Sequence, residues 1–307
     1  MDKDIRDAFL DVVYDYMKLD SRIVFITCDT VAFILKKMFD EFPERVFNIG
    51  IAEQNAISVA SGLALLGKKV FILGISNFLV TRCLDQINID LSISNLDVNL
   101  VGIGPGFGNS VDGPTHHSLN DVAIMSSIPN MQIFSMCDAI SSAMSAQYAC
   151  TYPGLKYFRL EKGTYNSVSV DIKLDIGIQV IKSVNNPDIT IFSYGSIIRN
   201  IVEACQDISV LIVDVFRLCP INYDLLKNYI LDSKKIMTIE EHFESGGLGE
   251  KIGSFMSKDK ISLPFKILSV PMSHIHEYSP TKDWIYKFCG LDSIAIKYEL
   301  INFKEII

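Results

Sequence analysis

Glu53 is a single carboxylate set at a loop-to-helix junction, followed about sixty residues later by a cluster of Asp and His. It lies in Gly50-Ile51-Ala52-Glu53-Gln54-Asn55-Ala56, where a strand should end and a helix begin. That puts it in the crevice at which open α/β sheets bind ligands, close to helix-terminal N–H groups. The dull alternative is a first-turn acid that only compensates the helix dipole. Further along, Asp112-Gly113-Pro114-Thr115-His116-His117 follows a glycine-rich loop. A carboxylate acceptor beside imidazoles suits the hydroxyls of a carbohydrate and general acid/base work on them. Here the alternative is a plain turn whose Asp, Gly and Pro satisfy local backbone, with both histidines exposed.

These groups need a frame, and the apolar pattern supplies one. Ala8, Phe9, Val12, Val13 and Tyr16 recur at helical spacing, and Ile23 to Ile26 follows as a short strand. Ala56, Val59, Ala60, Leu63, Ala64 and Leu66 form a second helical stripe ending at Gly67, before a buried strand at 69–73. A helix is expected at 82–92, strands at 98–103 and 131–134, and a helical stretch at 120–127. Strands at 189–192, 210–213, 235–239 and 265–268 alternate with helix-compatible stretches. The expected fold class is α/β, with two parallel or mixed-sheet α/β domains at 1–165 and 177–307 and a polar linker at 166–176.

Composition narrows the function. The 307 residues carry a net charge of −8, with 49% hydrophobic and 21% charged residues. No basic tract offers the footprint of a nucleic-acid binder, and small metabolites are the expected partners. No apolar run approaches the ~18 residues of a membrane span, and the charged start Met1-Asp2-Lys3-Asp4 is unlike a signal peptide, so a cytoplasmic location without membrane association is expected. Seven scattered cysteines without CxxC or zinc spacing read as reduced core thiols. His274 and His276 would share a strand face but lack a third ligand, so no metal site is expected in this chain. The run Gly102-Ile103-Gly104-Pro105-Gly106-Phe107-Gly108 fails as a dinucleotide loop because Pro105 interrupts it, and is expected to be a flexible loop on the substrate side.

Three segments together resemble a known family. Gly50 to Ala64 is similar to the pyrimidine-binding domain of transketolases and 1-deoxyxylulose-5-phosphate synthases, and Asp112 to Asp121 matches a second motif of that domain. Ile239-Glu240-Glu241-His242-Phe243-Glu244-Ser245-Gly246-Gly247-Leu248-Gly249 resembles the C-terminal domain of the same enzymes. The family's Gly-Asp-Gly with a downstream Asn, which holds the cofactor diphosphate and its metal, is missing. The resemblance therefore implies the C-terminal subunit of a split transketolase. Its partner would be an N-terminal transketolase subunit carrying the diphosphate-binding domain, in a heterotetramer with two copies of each chain. Thiamin diphosphate is the implied cofactor, with Mg2+ or Ca2+ bound through that partner, and sugars or sugar phosphates are the implied substrates.

The resemblance also implies roles. Glu53 would contact N1′ of the aminopyrimidine and share a proton with it, activating the cofactor's own base. His116 would face the substrate, and Asp112 would accept from a substrate hydroxyl; His117 is peripheral. Phe78 or Leu79 would cover the aminopyrimidine, Arg82 would lie near the cofactor unless it is a surface helix arginine, and Asp29 would lie near the subunit interface unless it caps a helix. Arg6 and the pair Arg159 and Lys162 match phosphate-binding positions. The family's second arginine is Lys162 here, which loses the planar fork, and a family histidine is replaced by Gly104. An unphosphorylated or nucleotide-linked sugar is thus a substrate to test. The implied reaction is transfer of a two-carbon ketol unit from a ketose to an aldose. Alternatives are a deoxyxylulose-phosphate-synthase-like or 2-oxoacid-dehydrogenase-β-like decarboxylating subunit, or a non-catalytic scaffold paralogue.

Overall fold

The six strands of the first half run parallel in one sheet, with helices of that half covering its faces. The computed structural model describes residues 3–169, 172–277 and 280–305, so residues 170 and 171 of the expected linker lie outside it. The first sheet contains β1 (Ile23–Thr27), β2 (Val46–Asn48), β3 (Lys69–Ile75), β4 (Val98–Ile103), β5 (Gln132–Ser135) and β6 (Lys156–Leu160). β1, β4 and β6 are buried along their whole length, as expected of a parallel sheet covered on both faces.

One of those covers is the pair of helices Ile5–Leu19 and Ala139–Thr151. Asp4 caps the first by accepting from Asp7 N, and its second oxygen takes the N–H of Gly163 at 2.7 Å. Asp138 and Ser141 close a capping box on the second. Small residues on that helix allow close approach, and Ser142 Oγ reaches Ile5 O at 2.6 Å. Phe9 then packs on Phe71 and Phe158 in the sheet, all three fully buried. Each such ring stabilises the fold by roughly 1.5–3 kcal/mol.

The second half adds β7 (Gln179–Lys182), β8 (Ile189–Ser193), β9 (Leu211–Asp214), β10 (Arg217–Cys219), β11 (Lys235–Phe243) and β12 (Phe265–Val270). Its sheet has the order β12-β11-β8-β9-β7, parallel except for β7 against β9. β10 does not join it. It pairs antiparallel with β5 and completes the first sheet, in the order β10-β5-β6-β4-β3-β1-β2. The two halves are therefore stitched by backbone hydrogen bonds as well as by side chains. Both sheets are α/β, as expected.

One helix departs from expectation. In place of a single helix at 82–92, the chain forms Ser76–Thr81, a short turn at Leu84–Gln86, and a π-type turn at Ile87–Ser92. There Ile93 N bonds to Asn88 O and Leu96 N to Leu91 O, each five residues back. The early start matters, because it places Phe78, Leu79 and Arg82 at the mouth of β3.

Candidate active site

Every strand of the parallel set that contributes to the site does so from its C-terminal end, the side on which open α/β sheets bind ligands. Asp29 follows β1, Glu53 follows β2, Phe78 follows β3, the 104–117 loop follows β4, and Lys162 follows β6. The topology thus converges residues from across the first half of the chain.

Glu53 opens helix Glu53–Leu65 yet is only 3% exposed. Its Oε2 receives Arg82 Nη1 at 2.6 Å, a charge-assisted bond, and among the described residues no backbone amide donates to it. A capping role would need such a donor; the carboxylate pairs instead with Arg82 at the end of the helix Ser76–Thr81. The Arg82 guanidinium also lies over the Phe78 ring at 4.5 Å, and Phe78 meets the His116 imidazole edge-on at 4.9 Å between centroids. Glu53, Arg82, Phe78 and His116 are thereby linked in one continuous cluster. Leu79 is not part of it: the side chain is fully buried in the core against Gly74.

The loop that carries His116 is tied to the helix of Phe78, because Asn77 Nδ2 donates to Thr115 O at 2.7 Å. His116 Nδ1 lies 3.0 Å from Thr115 Oγ1. His117 faces the other way, buried edge-on against Phe107, and burial pulls its imidazole below the usual range. Asp112 ends the turn Ser110–Asp112 and is exposed. Asp29 is exposed in a left-handed conformation (φ 54°) and pairs with Asn48, whose Nδ2 donates to Oδ1 at 3.2 Å. It caps no helix; the helix at Phe33–Glu41 begins from Ala32.

Arg6 and Lys162 form a second group on the same side. The Arg6 guanidinium donates to Val31 O and Asp7, and Lys162 Nζ donates to Asn109 Oδ1 at 2.7 Å. Burial pulls the Lys162 ammonium down and the nearby Arg6 charge adds to that, with Asp112 opposing. Arg159 stands apart from both groups. It is 3% exposed, and its Nε donates to Asp121 Oδ2 at 2.7 Å beneath the Tyr194 ring, so its charge is spent inside the protein.

The glycine run is packed rather than loose. A Cβ on Gly106 would lie 2.5 Å from the Glu241 carboxyl, and one on Gly108 would lie 2.5 Å from Glu161 Oε1. Glu241 Oε1 accepts the Phe107 N–H at 2.7 Å, and Lys282 bridges Glu241 and Glu161. Burial works against the Lys282 charge, but the two carboxylates outweigh it and hold the ammonium well above its usual range. Asn109, Lys282 and Tyr286, which donates to Glu241 at 2.8 Å, are site-supporting residues that the sequence pattern did not single out. Among the described residues no group of three His, Cys, Asp or Glu side chains is arranged for a metal ion, and no helix is long and apolar enough to cross a membrane.

A buried carboxylate, an adjacent guanidinium and a half-buried aromatic ring are the groups a planar, protonatable nitrogen heterocycle needs: an acceptor at its edge and an apolar surface on its face. Comparison with known proteins points the same way. Residues 2–167 match the transketolase pyrimidine binding domain, and residues 179–296 match the transketolase C-terminal domain. The chain is 28% identical over 308 residues to an apulose-4-phosphate transketolase subunit of Phocaeicola vulgatus, covering 98% of this chain and 97% of that protein. It is 30% identical to 1-deoxy-D-xylulose-5-phosphate synthase of Acinetobacter baumannii across 94% of its own length, but spans only 47% of the synthase. Among solved structures, a split-gene transketolase described as an inactive beta4 tetramer superimposes with a TM-score of 0.85 at 26% identity, covering 99% of both chains.

Proposed function

Because this chain belongs to the transketolase family, with its pyrimidine-binding domain followed by its C-terminal domain, we propose that it is the second subunit of a split, thiamin-diphosphate-dependent transketolase. It would transfer a two-carbon ketol unit from a ketose to an aldose. The observation that carries this reading is the buried Glu53 carboxylate, paired with Arg82 and set beside Phe78 and His116.

Each residue then has a physical task. Glu53 holds a proton against N1′ of the aminopyrimidine, and Arg82 keeps that carboxylate fixed. Phe78 covers the aminopyrimidine face; Leu79, committed to the core, does not. His116 donates to or accepts from the reacting oxygen, Asp112 accepts from a substrate hydroxyl, and Arg6 and Lys162 hold the anionic end of a sugar. When bound, the cofactor supplies the electron sink for carbon–carbon cleavage. The diphosphate and its Mg2+ or Ca2+ are assigned to the partner subunit. Val31 and Ile51 on the loops beyond β1 and β2 and Phe33 at the start of the helix Phe33–Glu41, 85%, 75% and 92% exposed, are apolar surface that such a partner would cover. Asp29 sits on the same rim.

The test is Glu53→Ala. In complex with the diphosphate-domain subunit, the variant should assemble as the wild type does and lose ketol transfer; near-normal turnover would sink the assignment. Carbon dioxide release during turnover would shift the reading to the synthase-like reaction. A complex that binds cofactor but never turns over would point to a scaffold.

A further inference from the structure

Two buried acceptors on facing strands lack a donor, and one proton would serve both. Asp214 ends β9 and lies directly opposite Gln179 of β7 in their antiparallel pairing, and both side chains are buried. Gln179 Nε2 gives its two N–H groups to Asp214 Oδ2 at 2.8 Å and Ser169 Oγ at 3.2 Å. That leaves Asp214 Oδ1 and Gln179 Oε1, which receive no hydrogen bond. Turning the amide over would set Oε1 against Oδ2, so the acid would need a proton in that orientation too. A buried acceptor without a donor is costly. A carboxylic acid and a carboxamide already joined by one N–H···O bond are completed by an O–H···O bond between their other two oxygens.

The pair sits where the chain crosses between its two halves. Val215 N still bonds to Ser193 O of the second sheet at 2.8 Å, and Phe216 then enters the core of the first half, its O accepting from Ser135 N at 2.8 Å before β10 pairs with β5. Two titratable groups of the first half face the pair, Cys137 and Asp138, from the turn before helix Ala139–Thr151. Burial pushes the Cys137 thiol well up, so it stays neutral. Burial also works against the Asp138 charge, but the N–H groups of Ser141 and Ser169 outweigh it and hold that carboxyl below its usual range. The N–H of Val168 is a third donor to Asp138, at 2.8 Å, whereas Asp214 receives a single N–H, from Gln179. The two acids therefore lie in opposite surroundings, one built for an anion and one for a neutral acid.

We propose that Asp214 carries a proton in the folded chain and shares it with Gln179, and that this pair is a latch at the crossing of the two halves, closed while the proton is held and loosened when it leaves. Nothing in the latch depends on the transketolase reading of the cleft. Loss of the proton leaves a buried anion with one donor, opposed by the charge of Asp138. Burial pushes the closed carboxyl up to about 7, whereas in an open, solvated seam it returns to its ordinary value of about 4. Opening therefore releases the proton. It becomes about tenfold easier per pH unit from about pH 4 to about pH 7 and levels off above. The half that loosens is the one whose Glu241 holds the Phe107 N–H of the site loop.

Two measurements on the full chain test this. With carbon-13 at the aspartate side-chain carboxyls, one NMR resonance should titrate with a midpoint near about 7, far above an ordinary aspartate, and should be missing from Asp214→Asn. Hydrogen exchange at the amides of Ser135, Val215 and Arg217, which close the crossing, reads the latch itself. In the wild type their protection factors should fall about tenfold per unit between about pH 5 and about pH 7. In Asp214→Asn a fixed N–H stands in for the acid's O–H, so protection should keep its acid-side value at every pH. Asp214→Leu, equally uncharged but unable to pair, should lose about tenfold or more of that protection or fail to fold. No aspartate titrating above about pH 5 in the wild type would overturn the inference. So would a pH dependence that survives in Asp214→Asn, equal protection in the Asn and Leu variants, or failure of Asp214→Asn to fold.

Discussion

Phe78 and Leu79 are neighbours in sequence with opposite fates. Leu79 is fully buried against Gly74, so Leu79→Ala should cost about 2–5 kcal/mol in urea unfolding. Phe78→Ala should cost much less stability and should instead raise the apparent Kd for thiamin diphosphate in the complex. Sequence alone left the two open, because the helix that separates their faces starts at Ser76, ahead of the apolar period that suggested residue 82. Glu53 was legible, since a carboxylate after Gly50 at a strand-to-helix junction has few places to go. Asn109 was not: Lys162 was marked by the family motif, but it lies 53 residues away and nothing local ties Asn109 to it. Asp214 offers a pH test. Burial pushes its carboxyl up to about 7, while Gln179 pulls the other way. A folded value above the unfolded one means the protein binds the extra proton when folded. Its contribution is therefore present below about pH 4 and lost as pH rises to about 7, by on the order of 4 kcal/mol in full. Asp214→Asn should flatten the Tm-against-pH curve across that window; an unchanged slope would contradict the assignment.

At the scale of elements, the site loop is held by the second half of the chain. Glu241 grips Phe107 N, and Lys282 neutralises Glu241 and Glu161 together. Lys282→Met would leave two buried carboxylates facing each other without a cation. It should cost about 3–5 kcal/mol of stability, and chemical unfolding should show it. Glu241 falls in the segment that resembles the family's C-terminal domain, but Lys282 carries no motif and sits 121 residues from Glu161. β6 was also hard to read. Lys156-Tyr157-Phe158-Arg159-Leu160 holds two cations in a fully buried strand, tolerated because Asp97 lies near Lys156 and Asp121 pairs with Arg159. Burial pulls the Lys156 ammonium down to about 8. Strands with plain apolar runs, such as β3 and β4, were legible because burial on both faces leaves little room for polar residues.

For the whole molecule, two α/β layers were legible from the alternation of apolar strands and helical stripes, while their joining was not. β10 returns from the second half to pair with β5, and a three-residue strand with one buried position gives no periodic signal. That crossing brings the second half against the 104–117 loop, at the carboxyl end of the parallel sheet. On the proposed reading, this half site becomes catalytic only against a chain carrying the diphosphate-binding domain. Ketol transfer can be followed directly as that partner subunit is titrated into this chain, with thiamin diphosphate and Mg2+ present throughout. Activity should be absent from either chain alone, rise with added partner and saturate at equal numbers of the two chains. Turnover by this chain alone, or a mixed complex that forms and binds the cofactor without transferring ketol units, would contradict it.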